Sequence, residues 1–177
     1  MTPPPPPDDL ARTAVSGTAL AAGPSGHKDE LRLWLRLLAT ANLVEAGIRR
    51  RLRTGFDTTL PRFDLLAQLH RAGGALTLGE ISRRMMVSNG NVTGLAARLV
   101  ADGLVERRAS EADRRAQELR LTGKGRREFA RQSAAHEDWV AEIFAGLAPE
   151  ERAALFRLLA RAKASARAAL AEEETGA

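Results

Sequence analysis

Asn89, Asn91 and Thr93 follow a serine at close spacing in the run SNGNVTGLAARLVADG. An asparagine offers adenine a donor and an acceptor together, and a threonine touches the thymine methyl or accepts from a base. Ser88 has the right type for a helix N-cap or a phosphate contact. It stands where the unpaired N–H groups of a helix start would also attract phosphate. A basic set follows at Arg107, Arg108, Arg114 and Arg115, with Asp113 beside it. An arginine carried on a hairpin can enter a narrow minor groove, where the negative potential is concentrated, and Arg114 or Arg115 is the candidate. Each set also has a plainer reading: an ordinary helix start, and a solvated hairpin in which Asp113 pairs with an arginine.

The elements around these residues give them a frame. Thr77 and Glu80 have capping-box spacing before a short apolar-patterned helix over 77–85. Ser88 opens a second helix, 88–101, whose Val92, Leu95 and Leu99 face inward and which Gly103 ends. Ala75-Leu76 is a very short strand candidate. LVERR and ELRLT flank a polar turn and read as a hairpin. Upstream lie a tail over 1–27, rich in Pro, Gly, Ala and Ser, and a long helix over 28–53 within an N-terminal segment 28–60. A further helix opens at Pro61 with Phe63, Leu66 and Leu69 and stops at Gly73-Gly74. Thr122 caps a long helix over about 123–146 that uses Phe129, Trp139 and Phe144. Pro149 starts a last helix, 150–171, with Leu155, Leu158, Leu159 and Leu170, and 172–177 reads as a frayed end. The apolar residues of 28–53 cover two faces, so one is expected on the subunit's own core and the other on a partner subunit or deeper in a monomer. The predicted fold class is mainly α with a small β wing, a winged helix-turn-helix, with 61–122 as the unit that meets the duplex.

The bulk properties agree without deciding the matter. The chain has 177 residues, 44% of them hydrophobic, with 5 Phe, 2 Trp and no Tyr, so its core must rest on aliphatic side chains. The net charge is +5, which suits a polyanion but does not choose among DNA, RNA and a membrane. Residues 61–125 hold 11 Lys/Arg against 7 Asp/Glu, most of that excess. Cys is absent, which removes thiol catalysis, thiolate metal sites and a cysteine redox switch. The start MTPPPPPDDL has no secretory pattern and no apolar run approaches a membrane span, so a cytoplasmic protein without membrane contact is expected. GxxxxGK[ST], HExxH and GxSxG are absent, and His27, His70 and His136 are far apart. No enzyme, metal or other cofactor is expected.

Residues 76–126, LTLGEISRRMMVSNGNVTGLAARLVADGLVERRASEADRRAQELRLTGKGR, strongly resemble the MarR family of bacterial regulators. The most specific stretch is the wing, where Asp113, Arg115, Leu121, Thr122 and Gly125 match. The resemblance in helical layout covers roughly 30–170. It implies a homodimer held by its N- and C-terminal helices, with two recognition helices on a pseudo-palindromic double-stranded DNA site, most commonly as a repressor. Two positions depart from many relatives: Gly94 replaces a basic residue, and Ala97 replaces an Asp that helps to anchor the wing. Arg98 remains as a phosphate or wing-bracing residue.

The resemblance also implies an effector, a small aromatic or anionic molecule bound between the helical dimer region and the DNA-binding lobes. Its candidate contacts are Trp34, Arg36, Arg62, Phe63 and His70, and Trp34 reads more readily as core. FDTTLPRFDLLAQL looks like the segment of relatives that respond to aromatic acids or their coenzyme A thioesters, whose phosphates Arg49, Arg50, Arg51 and Arg53 would receive. The alternative function is a winged-helix protein that acts through nonspecific DNA binding or protein–protein contact.

Overall fold

The computed structural model describes residues 27–109 and 117–175, with side chains described through residue 171. Its elements run α1 (Lys28–Phe56), α2 (Leu60–Ala72), β1 (Leu76–Thr77), α3 (Leu78–Met85), α4 (Asn89–Ala101), β2 (Val105–Ala109), β3 (Gln117–Leu121), α5 (Gly123–Ile143) and α6 (Pro149–Thr175). The chain divides into two units, Met1–Ala39 and Thr40–Ala177. This is the mainly helical winged helix-turn-helix expected from the pattern.

In the larger unit the core is aliphatic, as the scarcity of aromatics demands. Leu52, Leu65, Leu66, Leu69, Ile81, Val92, Ala96, Leu99 and Leu119 are essentially sealed from water. Burying one such leucine contributes about 1.5–3 kcal/mol. Ala96 rather than Leu95 is the fully buried partner of Val92 and Leu99 on α4, and Leu95 is half-buried at the edge. The three strands form an antiparallel sheet in the order β1-β3-β2. Leu76 lies opposite Leu119, and Val105 opposite Leu121, so alternate residues of each strand reach the core.

Local chemistry sets the element ends. Thr59 precedes α2 with Pro61 in its first turn, where the missing N–H costs nothing. Gly73 ends α2 with φ 66, a left-handed conformation open to glycine. α1 continues past the expected Arg53 to Phe56, and α5 stops at Ile143 rather than 146, leaving Phe144 as a half-buried C-cap instead of an anchor. α6 runs beyond 171 to Thr175.

The apolar faces of the long helices differ from the core reading. Within the first unit Leu31, Leu33, Trp34, Leu35, Leu37 and Leu38 are all exposed, and Trp34 is 54% exposed. The reading of Trp34 as a core residue is therefore corrected. No described side chain of α6 is buried, and Phe156, Leu158 and Leu170 stand in water.

Candidate nucleic-acid interface

Two short helices and a tight turn form the front of the larger unit. The Thr77 hydroxyl accepts from the Glu80 backbone N–H at 3.2 Å, and the Glu80 carboxylate accepts from the Thr77 N–H at 2.8 Å. The capping box read from the sequence is thus closed. The Thr77 backbone N–H is the main cause that holds the Glu80 carboxyl below its usual range, with the Thr77 hydroxyl second. Ser82 donates to the Val87 carbonyl at 2.6 Å, which ties α3 to the turn. Met86 makes that turn with φ 55 and is 90% exposed.

Ser88 caps α4 as expected: its Oγ accepts from the Asn91 N–H at 3.4 Å. Val92, Ala96 and Leu99 fix the inner face. Asn89, Asn91, Thr93 and Arg98 are therefore all exposed on the outer part of α4. The Thr93 hydroxyl donates to the Asn89 carbonyl at 2.8 Å, so its proton is engaged while its methyl and a lone pair remain outward. Gly90 and Gly94 lie in the same surface, and a Cβ added at either would meet nothing within 4 Å. Packing does not require these glycines. They leave the helix backbone bare on the side that carries the asparagines.

The wing strands stand next to this helix in the chain. Arg107 reaches the Gln117 side chain at 3.5 Å, and Arg108 pairs with Glu106 at 3.1 Å. Arg114, Arg115 and Asp113 lie outside the described residues.

Contacts from distant parts of the chain brace α4, and no sequence spacing indicated them. Arg62 of α2 forms an ion pair with Asp102, the C-cap residue of α4. Lys124 of α5 donates to the Asp102 carbonyl at 2.8 Å. The turn that follows is fixed by Thr122, whose hydroxyl donates to the Gly103 carbonyl at 2.7 Å and accepts from the Gly125 N–H at 2.9 Å. Of these residues Gly103, Thr122 and Gly125 carried sequence signals, as a helix end, a helix cap and a wing-motif glycine.

The effector candidates fall on two elements, each described in its own unit. Trp34 and Arg36 lie on the part of α1 in the first unit, both exposed. Arg62, Phe63 and His70 lie on α2 in the second. Phe63 is buried, with its ring 5.5 Å from Phe129 and 5.0 Å from His136. His70 is exposed, with its ring 4.9 Å from Phe129. Burial holds the His136 imidazole below its usual pKa, against a smaller opposing effect of Glu137. Of the arginines at 49–53, Arg49 pairs with Glu45 and Arg51 with Glu142.

Among the described residues no group of three or more His, Cys, Asp or Glu is placed to hold a metal. No described helix is long and apolar enough to cross a membrane.

The comparisons with known proteins agree with this geometry. Residues 56–116 match the model of the MarR family. The chain is 31% identical over 124 residues to the uncharacterized HTH-type transcriptional regulator YkoM of Bacillus subtilis, covering 70% of this chain and 79% of that one. Two further curated relatives are matched over 58% and 55% of their own lengths. A MarR family transcriptional regulator from Silicibacter pomeroyi superimposes with a TM-score of 0.68 at 32% identity, over 78% of this chain and 96% of that one. A mutant of Escherichia coli MarR complexed with operator DNA superimposes with a TM-score of 0.66 at 26% identity, over 78% and 99%. The chain belongs to the MarR family, and it is a DNA-binding, non-catalytic transcriptional regulator of the winged helix-turn-helix type.

Proposed function

We propose that the protein is a homodimeric repressor that reads a pseudo-palindromic operator and is released by a small aromatic or anionic ligand. The observation that carries this reading is the outer face of α4, where Asn89, Asn91 and Thr93 stand exposed at the amino end of a helix braced from behind. In this reading Asn89, Asn91 and Thr93 contact base edges, and Ser88 and Arg98 contact phosphate. Arg114 or Arg115 enters the minor groove. The DNA-binding region is 61–122, and 28–60 and 123–171 form the dimer. The unburied apolar residues of α1 and α6 support the dimer, since single chains rarely expose so much apolar surface without a partner.

Within the larger unit, the effector reading draws on Phe63 and His70, with Arg62 at the far end of α2. Beside His70 lies an open cleft of about 210 Å³ rimmed by Arg120 and Arg126, a suitable charge for a carboxylate. Two of the four arginines over 49–53 already hold carboxylates, which favours a free aromatic acid over its coenzyme A thioester. The test is to add benzoate, and separately benzoyl coenzyme A, to the protein–operator complex. Release at millimolar benzoate supports the effector reading. A complex indifferent to both compounds contradicts it.

A further inference from the structure

Arg108, Arg120 and Arg126 gather around one open cleft of about 340 Å³ within the larger unit, where strands β2 and β3 meet the start of α5. Strand alternation sets this up. Leu119 and Leu121 are buried, so Arg120 between them stands on the outer face of the sheet, opposite Glu106. That carboxylate, the only one lining the cleft, is already engaged by Arg108 at 3.1 Å. Arg120 is exposed and has no hydrogen-bond or ion-pair partner among the described residues. Arg126 donates to the Leu121 carbonyl at 3.0 Å, which fixes its guanidinium at the end of β3 without neutralising it. Like charges gathered in one concavity repel and raise the local positive potential. Glu106 offsets one of the three cations and leaves two uncompensated.

The rest of the lining narrows the ligand. The volume is that of a small-molecule site, but the apolar wall such sites use is missing. Leu121 is the one apolar side chain in the lining, and it is 5% exposed. No aromatic ring lines the cleft, which disfavours an aromatic acid. Gly123 opens α5 beside the arginines, and the first turn of α5 holds no carboxylate to compete with an anion. Guanidinium forks present paired N–H donors that match phosphate oxygens. We propose that this cleft binds a phosphate group carried by a small soluble molecule, held by Arg120 and Arg126 with Arg108 beside them. The cleft near His70 shares Arg120 and Arg126 but takes the end of α2 as its other wall. The site rests on neither the operator reading nor the effector reading.

The experiment titrates inorganic phosphate into the full-length protein without DNA, with sodium chloride at matched ionic strength as the control. The readouts are backbone amide NMR signals. Phosphate is expected to move Gly123 saturably at millimolar concentration. Gly73 and Gly74, which line only the cleft near His70, are expected to stay. Arg120→Gln, or Arg108→Gln where the first does not fold, is expected to weaken phosphate by about tenfold, the worth of one charge-assisted hydrogen bond. A Gly123 signal left in place, a shift that chloride reproduces, or an affinity unchanged in the folded variant would overturn the proposal. Movement of Gly73 and Gly74 instead of Gly123 would overturn it by placing the anion beside His70. An Arg120→Gln protein whose parent ignores phosphate but whose duplex binding loses about 1 in salt slope would also overturn it and give the arginine to the DNA backbone. A protein that binds phosphate here yet selects no operator overturns only the operator reading.

Discussion

Gly125 of α5 packs so tightly on the turn after α4 that a Cβ placed on it would lie 1.9 Å from the carbonyl oxygen of Leu104. That carbonyl also accepts the Thr122 N–H at 3.1 Å, so it cannot swing away without breaking the start of α5. The contact gives a physical reason for the glycine that closes the wing motif. It also joins the end of α4 to the helix that leads out of the wing.

Gly125→Ala is accordingly expected to destabilise the fold by about 3 kcal/mol or more, at or above the usual cost of overpacking, since the obstacle is backbone rather than a yielding side chain. Thermal or urea denaturation measures it. A melting temperature equal to that of the parent would show that the turn relaxes freely.

Asn91 and Arg115 should fail in different ways. Asn91→Ala is expected to lower discrimination between operators, by about 1–3 kcal/mol at the base it reads. Arg115→Ala is expected to weaken binding to all duplexes and to reduce the salt slope by about 1. Titrations of matched and mismatched duplexes at several salt concentrations separate the two. A uniform loss for Asn91→Ala would make it a backbone contact, and an unchanged affinity and slope for Arg115→Ala would remove the wing from the contacts with the duplex.

His136 predicts an acid-side loss of stability. Its folded-state pKa lies below the ordinary 6.5 because burial against Phe63 disfavours the cation. Between the two values the unfolded chain binds more protons, so stability rises with pH there. The contribution of this group is whole above about 6.5 and is lost as pH falls through that value toward the folded one. His136→Phe should remove that part of the pH dependence in denaturation curves measured from pH 7.5 to 5. An unchanged curve would place the titrating group elsewhere.

Leu158 lies 59% exposed on α6, a helix with no buried side chain among its described residues. Leu158→Glu is expected to convert a dimer to monomers by sedimentation. A variant that remains dimeric would move the interface to another surface.

Much of this fold was legible because its signals are local. Thr77 with Glu80, Ser88 before Asn89, and Thr122 before Gly123 each declare a helix start through a side chain that bonds its own next turn. The alternation of Leu119 and Leu121 declares a strand with one buried face. The brace behind α4 was not legible. Arg62 and Asp102 are 40 residues apart, and nothing in either local pattern distinguishes a braced charge from a solvated one. Trp34 was ambiguous for a related reason. An apolar face at helical spacing shows that a helix is covered but not by which chain, and here the chain's own core ends near Ile48 and Leu52.

Everything above turns on sequence-specific DNA recognition by α4 and the wing. It is tested most directly by selecting genomic fragments from the source organism with the purified protein, at moderate salt and with excess nonspecific competitor DNA. One or a few fragments are expected that share an inverted repeat, with half-sites spaced by about one helical turn, ~34–36 Å. A folded dimer that recovers no preferred fragment would contradict it and return the winged helix to nonspecific DNA binding or protein–protein contact.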